Sequence, residues 1–427
     1  MSAPGRLIGV WDSVDISLLF RAARVAFLRS LGQAAMFAST IYCTAFFAPS
    51  EYGLAGTFIL VINSLGIVLS LRLENMALIA KDKAEEDLYV AMAYGVAGAL
   101  TLAMTVAWSI ASLSVASWSS IWIGYAVIWG ALLNSIYMYI LPAQMVAPSV
   151  MGRVGTLNAI IGVTTAAAQV LIATFSPTVV GLVCTRVVGA FLGINYCFGY
   201  LRQGSAGARR LSRSSVLPAW KKAAPEVLFN VPSSLVNSLS LQAPVLVLTL
   251  HSELDTSGKY LLFFNILFMP YTIVSASVRP QLLRSISQAE TDGRIFTMLR
   301  HSTLVALGLA LAYGVAAGSV VMYLSYLLPG QWHISPWVVL ALVMVLIPVI
   351  ASMPVITAVT VLRQQMNSFL HNVMLVLVRT AGLASLLGAG IAADTALFFQ
   401  SLTGALVTLG FVTLTFRAVL KLSSGED

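Results

Sequence analysis

The chain has 427 residues, of which 59% are hydrophobic and only 9% are charged. Its mean hydropathy of +0.90 excludes a soluble globular protein, because a soluble fold of this length cannot bury so much apolar surface. The net charge of +8 does not indicate a nucleic-acid partner, since the basic residues are dispersed over separate connections instead of lying on one soluble face.

Twelve apolar segments follow one another along the chain. A helix needs about 20 mainly apolar residues to cross roughly 30 Å of hydrocarbon. The sequence therefore predicts an all-α membrane protein with about twelve transmembrane helices. The predicted spans are 24–47, 54–72, 88–110, 119–141, 154–175, 178–200, 225–250, 259–279, 302–325, 335–358, 366–390 and 394–418.

The connections between these segments alternate in charge. Basic residues favour the cytoplasmic side of a membrane, so the basic connections predict a multi-pass protein with both termini in the cytoplasm. Acidic Asp12 and Asp15 precede the first segment, and no cleavable signal peptide is predicted. The basic side carries Arg6, Arg21, Arg24, Lys81, Lys83, Arg202, Arg209, Arg210, Arg213, Lys221, Lys222, Arg284, Arg294 and Arg300, whereas the other side carries Glu51, Glu253, Asp255, Asp394 and one exception, Lys259.

Residues 201–223 form the longest basic connection, which contains Gly and Ser but no acidic residue. This connection divides the chain into an N-terminal six-helix bundle (1–200), a basic cytoplasmic linker (201–223) and a C-terminal six-helix bundle (224–427). An internal echo supports the division, because an acidic turn precedes the second span at Pro49–Gly53 and the eighth at Glu253–Tyr260. An even number of spans per half predicts parallel repeats, and such repeats often bind substrate between them.

Aromatic and proline residues give two further expectations. The aromatic residues at the span ends predict interfacial belts, and the prolines predict interruptions of the seventh and tenth segments. Such interruptions are either packing kinks or places where the protein moves. The aromatic residues are Trp118, Trp122, Tyr323, Tyr326, Trp332 and Trp337, and the prolines are Pro225, Pro232, Pro244, Pro336, Pro348 and Pro354.

The sequence offers no candidate for a catalytic centre, a metal site or a cofactor site. The histidines are scattered over connections and span ends without a metal-binding partner at helical spacing, so they are interpreted as polar loop groups. The cysteines lie within spans and are interpreted as small apolar residues. A membrane-embedded enzyme would need a large outer loop for its reactive groups, and the predicted outer links are short. The residues concerned are His251, His301, His333, His371, Cys43, Cys184 and Cys197.

Arginines inside the apolar segments are the main candidates for function. An ionisable residue in the hydrocarbon costs at least about 2.5 kcal/mol unless water or a partner receives it. Arg379 lies near the middle of the eleventh segment, and Arg186 lies about a third of the way into the sixth. Each could bind backbone carbonyls in a packed bundle or face an aqueous cavity between the halves.

Three further arginines, Arg29, Arg72 and Arg279, lie nearer the predicted cytoplasmic ends of their spans. They could extend to the interface or line a vestibule. Glu74 and Asn237 could support them, although an intramembrane asparagine also commonly bonds neighbouring helices. A cavity lined by arginine and poor in acids favours an anion, and the guanidinium fork suits phosphate.

Short motifs in both halves resemble those of polysaccharide-transporter proteins, a family of the multidrug/oligosaccharidyl-lipid/polysaccharide exporter superfamily. The resemblance extends over nearly the whole chain and includes the number of spans and the basic mid-chain link. Its motifs are Pro49-Ser50-Glu51-Tyr52-Gly53, Leu71-Arg72-Leu73-Glu74-Asn75, Pro232-Ser233-Ser234-Leu235-Val236-Asn237-Ser238, Gly258-Lys259-Tyr260 and Met269-Pro270.

The resemblance implies two six-helix bundles around a cationic central cavity that opens alternately to each side. It also implies a flippase that moves lipid-linked (undecaprenyl-pyrophosphate) oligosaccharide to the outer leaflet of the bacterial inner membrane for surface polysaccharide biosynthesis. Membrane lipids and polysaccharide polymerase or export machinery are the other implied partners. Arg72 and Glu74 match the family motif, but Gln242-Ala243-Pro244 stands where the family often has an acidic residue.

The alternative function is a drug or metabolite cation-coupled antiporter of the same superfamily. Such an antiporter would be expected to carry buried carboxylates for cation exchange. The predicted spans offer almost none, and Glu74 and Glu226 lie near cytoplasmic ends. The sequence therefore favours the flippase over the antiporter.

Overall fold

The computed structural model describes residues 16–78, 80, 82–114, 118–145, 151–199, 202, 213–291, 294–362 and 365–424. Within these ranges the chain is α-helical and contains no β-strand, which confirms the predicted fold class. The helices are α1 (Ile16–Cys43), α2 (Pro49–Ser70), α3 (Leu73–Leu78), α4 (Lys83–Ser112), α5 (Trp118–Ser135), α6 (Leu141–Gln144), α7 (Met151–Phe175), α8 (Val179–Tyr196), α9 (Arg213–Leu250), α10 (Leu254–Thr291), α11 (Ile295–Leu327), α12 (Pro336–Ala351), α13 (Met353–Val361), α14 (Gln365–Gly388) and α15 (Ala393–Ser424).

These helices form twelve successive rods in the described ranges, because α2 and α3, α5 and α6, and α12 and α13 each form one interrupted rod. Nine of the described spans are long and apolar enough to cross a membrane alone, and the bent pair α12–α13 gives a tenth. The architecture is therefore that of a multi-pass membrane protein. Each half of the chain contributes six rods.

The prolines correctly predict one of the two helix interruptions expected from the sequence and not the other. The tenth rod bends by 45° between α12 and α13, as expected from its prolines. The seventh rod, α9, is instead one continuous helix with four internal prolines, so the expected interruption there is wrong. Proline removes the N–H donor that would bond a carbonyl one turn earlier in the helix. Groups on neighbouring helices can donate a hydrogen bond to that carbonyl instead.

The predicted linker 201–223 is only partly described. Residues 201 and 203–212 lie outside the described part of the chain. The rest of the linker, from Arg213 onward, is helical and belongs to α9. The second half of the predicted linker is therefore the first part of the seventh rod.

Two interruptions lie close together in the N-terminal half. Leu71 and Arg72 have left-handed backbone angles, with φ of 47° and 56°, and they separate α2 from α3. A π-helix at Ile136–Ile140 joins α5 to α6. Left-handed non-glycine residues and π-helical turns are both uncommon and are often found at functional sites.

The two halves meet mainly where α2 packs against α9 and α10. Near the predicted outer end, Gly53 of α2 and Gly258 of α10 cross in close contact. A Cβ at Gly258 would lie only 1.8 Å from the carbonyl oxygen of Pro49, so the crossing requires glycine there. The two acidic turns that echo each other in the sequence therefore pack against each other.

Trp332 closes the same end of the interface and corrects one expectation. Its side chain is fully buried instead of lying at a lipid interface. Its Nε1 donates a hydrogen bond to the carbonyl oxygen of Thr44 at 2.9 Å, and its ring meets that of Tyr52 edge-on at 5.7 Å. The predicted belt residues Trp122, Tyr323, Tyr326 and Trp337 are exposed, and the side chain of Trp118 lies outside the described part of the chain.

Candidate functional site

The C-terminal half contains a polar cavity of about 430 Å³, which we call the Arg379 cavity. Its walls are segments of α9, α10, α12, α13, α14 and α15, and Arg72 reaches it from the N-terminal half. Hydroxyl side chains dominate the polar part of the lining, and no carboxylate occurs among the described residues that form it. The hydroxyl residues are Ser233, Ser234, Ser240, Tyr271, Thr272, Ser275, Ser352, Thr357, Ser368 and Thr408.

Arg379 lies on α14 and is only 3% exposed. Its Nη1 donates to the carbonyl oxygen of Ser240 at 2.9 Å and to Oγ of the same residue at 3.0 Å. Gly404 of α15 leaves room for the guanidinium, since a Cβ there would lie 3.2 Å from Nε of Arg379. Nε itself is buried without an acceptor among the described residues. Arg379 therefore binds a helix carbonyl, one of the two expected alternatives, and also lines a cavity. That cavity lies in the C-terminal half, where Arg72 is its one described lining residue from the N-terminal half, and not between the halves as expected.

Arg72 faces a buried carboxylate at the break between α2 and α3. Its Nη1 lies 3.2 Å from Oε1 of Glu74, which is 3% exposed. The guanidinium also lies over the ring of Tyr139 in the π-helix, 5.1 Å from the ring centroid, in a cation–π contact. The two local irregularities of the N-terminal half thus hold the arginine that reaches across to the Arg379 cavity.

His371 also lines the Arg379 cavity, and its interpretation from the sequence as a polar loop group is wrong. The structure places it inside α14, where it is only 8% exposed. Its ring stacks on Phe411 with centroids 4.2 Å apart, and Nε2 has no partner among the described residues. Helical periodicity is the signal that could have identified it, because a spacing of eight residues places His371 and Arg379 on the same side of α14, with Leu375 between them.

Asn237 lies on α9 and lines the same cavity, about one helical turn before Ser240, which binds Arg379. The structure therefore places Arg72, Arg379 and Asn237 around one cavity, and their role in substrate binding stays a prediction. Glu74 reaches this group only through its ion pair with Arg72.

Arg186 lies apart from this group, in a second and smaller cavity. This cavity has a volume of about 90 Å³ and lies between α2, α7, α8 and α10. Its polar lining includes Tyr52, Gln169 and Asn265, and Nε of Arg186 is buried there without a described acceptor. The structure therefore does not bring Arg186 and Arg379 into one cavity.

The two remaining predicted arginines do not join either cavity in the described structure. Arg29 is half-buried on α1 and is not among the residues that line the two cavities. Arg279 belongs to α10, but its side chain lies outside the described part of the chain. Arg29 and Arg279 stay predictions as substrate-binding residues.

The arrangement can bind an anion. The lining of the Arg379 cavity includes two guanidinium groups, an imidazole and many hydroxyls, and none of its described residues is a carboxylate. One of the two guanidinium groups, that of Arg72, is paired with Glu74 outside the lining. Charged donors of this kind bind phosphate or carboxylate oxygens strongly. Among the described residues, no group of three or more His, Cys, Asp or Glu side chains could hold a metal ion.

Comparisons with known proteins identify the fold. No family model matches the chain, and no curated protein matches it in sequence. A crystal structure of a mutant of the Vibrio cholerae MATE transporter VcmN is similar with a TM-score of 0.62 at 16% identity, covering 95% of this chain and 97% of that one.

Two other solved structures show the same likeness. An inward-facing multidrug resistance MATE family transporter of the MOP superfamily gives a TM-score of 0.62 at 12% identity, covering 93% of this chain and 99% of that one. The outward-facing conformation of such a transporter gives 0.59 at 12% identity, with coverage of 94% and 96%. The chain therefore has the fold of MATE transporters.

Proposed function

We propose that the protein is an exporter that carries an anionic, phosphate-bearing solute by alternating access. The observation that carries the proposal is Nε of Arg379, which is buried at the wall of a hydroxyl-lined cavity without a described acceptor. A buried charged donor without a partner is costly, so a bound anion would supply the missing acceptor. Arg72, whose charge is balanced by Glu74 at 3.2 Å, would contribute further guanidinium donors from the other half.

The contacts between the halves support alternating access. The glycine crossing of α2 and α10 and the buried Trp332 hold the halves together at the predicted outer end. Arg72 of the N-terminal half and Arg379 of the C-terminal half line one cavity. A relative movement of the halves would therefore change both the seal and the distance between the two cationic groups.

Two cargo classes fit this proposal. The likeness to MATE transporters favours a drug or metabolite antiporter over an oligosaccharide flippase, since the similar solved structures include multidrug resistance transporters. The cavity volume of about 430 Å³ also suits a drug-sized molecule or a single head group. The cationic lining favours an anionic cargo, as a lipid-linked oligosaccharide pyrophosphate would be.

Transport of two ions of similar size and opposite charge tests the proposal. Proteoliposomes would be loaded with radiolabelled diethyl phosphate or with tetraethylammonium, and efflux would be followed over time. We expect the protein to accelerate efflux of the phosphate and not of the cation. Efflux of tetraethylammonium alone would contradict an anionic cargo.

Variants of Arg379 locate the effect. Loss of charged hydrogen bonds worth about 1.5–3 kcal/mol predicts roughly tenfold to hundredfold weaker phosphate binding for Arg379→Gln. Arg379→Lys keeps the charge and is expected to retain part of the affinity, while Arg417→Gln removes an exposed arginine of α15 and serves as the matched control. Unchanged transport by a folded Arg379→Gln variant would remove Arg379 from the site.

A further inference from the structure

The smaller cavity at Arg186, which we call the Arg186 cavity, contains a charge that the described structure does not neutralise. Arg186 lies seven residues after Val179, the start of α8, and therefore roughly 10 Å along a membrane-spanning helix. Its Nε is buried without an acceptor, and it forms no ion pair in the described part of the chain. A charge at this depth is costly unless a partner of opposite sign receives it.

The other polar groups of the Arg186 cavity also suit an anion. Asn63 of α2, Gln169 of α7 and Asn265 of α10 each contribute a carboxamide, whose N–H groups can donate hydrogen bonds. Oε1 of Gln169 already accepts a hydrogen bond from Oγ of Ser39 at 2.7 Å, which leaves the amide nitrogen of Gln169 to donate elsewhere. Tyr52 adds a hydroxyl, and no carboxylate occurs among the described residues of this lining. The cavity therefore offers one fixed positive charge and several neutral donors.

The volume of the Arg186 cavity limits the size of its ligand. Its volume of about 90 Å³ is far smaller than the 430 Å³ or so of the Arg379 cavity. Drug-sized ligands commonly occupy pockets of about 300–1,000 Å³. An inorganic anion with at most a few water molecules fits the Arg186 cavity, whereas an organic phosphate cargo does not.

The walls of the Arg186 cavity come from both halves of the chain. α2, α7 and α8 belong to the N-terminal half, while Leu261 and Asn265 of α10 belong to the C-terminal half. Gly56 also lines the cavity and lies about one helical turn inward from Gly53. A Cβ at Gly56 would lie 1.9 Å from Cδ2 of Leu261, so α2 and α10 are in close contact here as well. A ligand in this cavity therefore contacts both halves only while they are together.

We propose that the Arg186 cavity binds a small monovalent inorganic anion, of which chloride is the most abundant example, and that the bound ion stabilises the closed outer end of the interface. Arg186 supplies the opposite charge, the carboxamides of the N-terminal half donate to the ion, and Asn265 donates from the C-terminal half. Because the full set of donors exists only when the halves are together, the ion binds this arrangement more tightly and raises its population. The site is separate from the cargo site and does not depend on the proposed function.

Equilibrium binding of radiolabelled chloride to the purified protein in gluconate buffer tests the site. We expect saturable binding that bromide and nitrate displace. Diethyl phosphate is too large for the Arg186 cavity and should not displace the chloride. An absence of saturable chloride binding, or its displacement by diethyl phosphate, would overturn the inference.

Variants test whether the ion lies at Arg186. Loss of a charged hydrogen bond predicts roughly tenfold or more weaker chloride binding for Arg186→Gln, with part of the affinity retained in Arg186→Lys. Asn63→Leu removes a neutral donor and is expected to weaken binding less, which gives a second variant with the charge intact. Arg417→Gln, at an exposed position of α15, is the matched control. Chloride binding that is lost in Arg379→Gln but kept in Arg186→Gln would place the ion in the Arg379 cavity and overturn the inference.

The effect of the ion on closure is measured separately. Spin labels at Ala45→Cys and Asp255→Cys, in a background without the three native cysteines, report the distance between the halves at the predicted outer end. We expect chloride, compared with gluconate, to shorten the mean distance in the wild-type background and to leave it unchanged in Arg186→Gln. Equal distances in both salts, despite saturable chloride binding, would overturn the stabilising role of the ion.

These outcomes are distinguishable from those for the proposed function. Chloride binding at Arg186 without any transport of diethyl phosphate would support this site and contradict the anion exporter. Transport of diethyl phosphate without chloride binding would overturn this site and leave the exporter standing.

Discussion

At the scale of single residues, the pair Arg72 and Glu74 combines burial with opposite charge. Glu74 is almost fully buried, while the side chain of Arg72 is 23% exposed. Removing one partner from a buried ion pair leaves an uncompensated charge, which is commonly more harmful than removing both. The pair therefore constrains Arg72 even though that arginine also lines the cavity.

Substitution of this pair gives the first prediction. Arg72→Gln is expected to destabilise the protein by about 3 kcal/mol, because Glu74 loses its cation, whereas the double variant Arg72→Gln/Glu74→Gln recovers most of that loss. Equilibrium unfolding in detergent of the wild type, both single variants and the double variant measures the coupling. Strictly additive effects would show that the two side chains do not stabilise each other.

The sequence predicts individual charged residues unequally well. The depth of Arg379 in its apolar segment identified it as a cavity candidate, because charge in hydrocarbon needs a partner. The sequence could not show that Arg186 lines a different cavity, since helix order does not fix which faces meet. The sequence places His371 near the start of the predicted span 366–390, where a polar group is typical of an exposed helix end. The structure buries it, because this part of α14 packs against α15 and the ring stacks on Phe411.

At the scale of helices, the crossing of α2 and α10 determines how closely the halves approach. Backbone atoms of Gly53 and Gly258 lie against each other, and a side chain at Gly258 would collide with Pro49. Overpacking at such a contact costs typically about 1–3 kcal/mol. The contact exists in the arrangement seen here, in which the predicted outer end of the interface between the halves is closed. Overpacking there therefore destabilises this arrangement and lowers its population.

Gly258→Ala is accordingly predicted to open the outer end of the interface. Spin labels on Ala45→Cys and Asp255→Cys, in a background without the three native cysteines, would report a larger mean distance by pulsed electron resonance. Gly98→Ala on α4 is the matched control, because its Cβ would meet nothing within 4 Å. An unchanged distance in Gly258→Ala would show that this crossing does not form the seal.

At the scale of the whole molecule, the distribution of charged residues predicts which connections face the cytoplasm. The fold alone does not determine this orientation in the membrane. Ser176 lies in a link without basic residues, and Arg294 lies in a basic link; both side chains are exposed. We expect Ser176→Cys to react with a membrane-impermeant maleimide in intact cells and Arg294→Cys to react only after permeabilisation. The reverse pattern would place both termini outside.

The number and order of the spans could be predicted because hydrophobic length is a local property of the sequence. The position of the cavity could not, since it depends on which helices pack across the two halves and on irregular backbone at Leu71 and Arg72. The continuity of α9 through four prolines is a similar case, because neighbouring helices decide whether a proline interrupts a span. The packing of the helices therefore determines the position of the cavity and the continuity of α9, neither of which hydropathy predicts.

The dependence of transport on membrane potential shows how many charges cross the membrane with each cargo molecule. The potential acts at about 2.3 kcal/mol per charge for 100 mV, so singly charged diethyl phosphate should distribute by roughly fiftyfold across vesicles at that potential. Exchange with an inward-moving cation would add a second charge and steepen this dependence, whereas co-transport with one proton would abolish it. Measuring the distribution at several potassium diffusion potentials, with and without a pH gradient, therefore distinguishes an uncoupled exporter from a cation-coupled antiporter. A distribution that follows neither the potential nor the pH gradient would contradict the transport of an uncompensated anion through the Arg379 cavity.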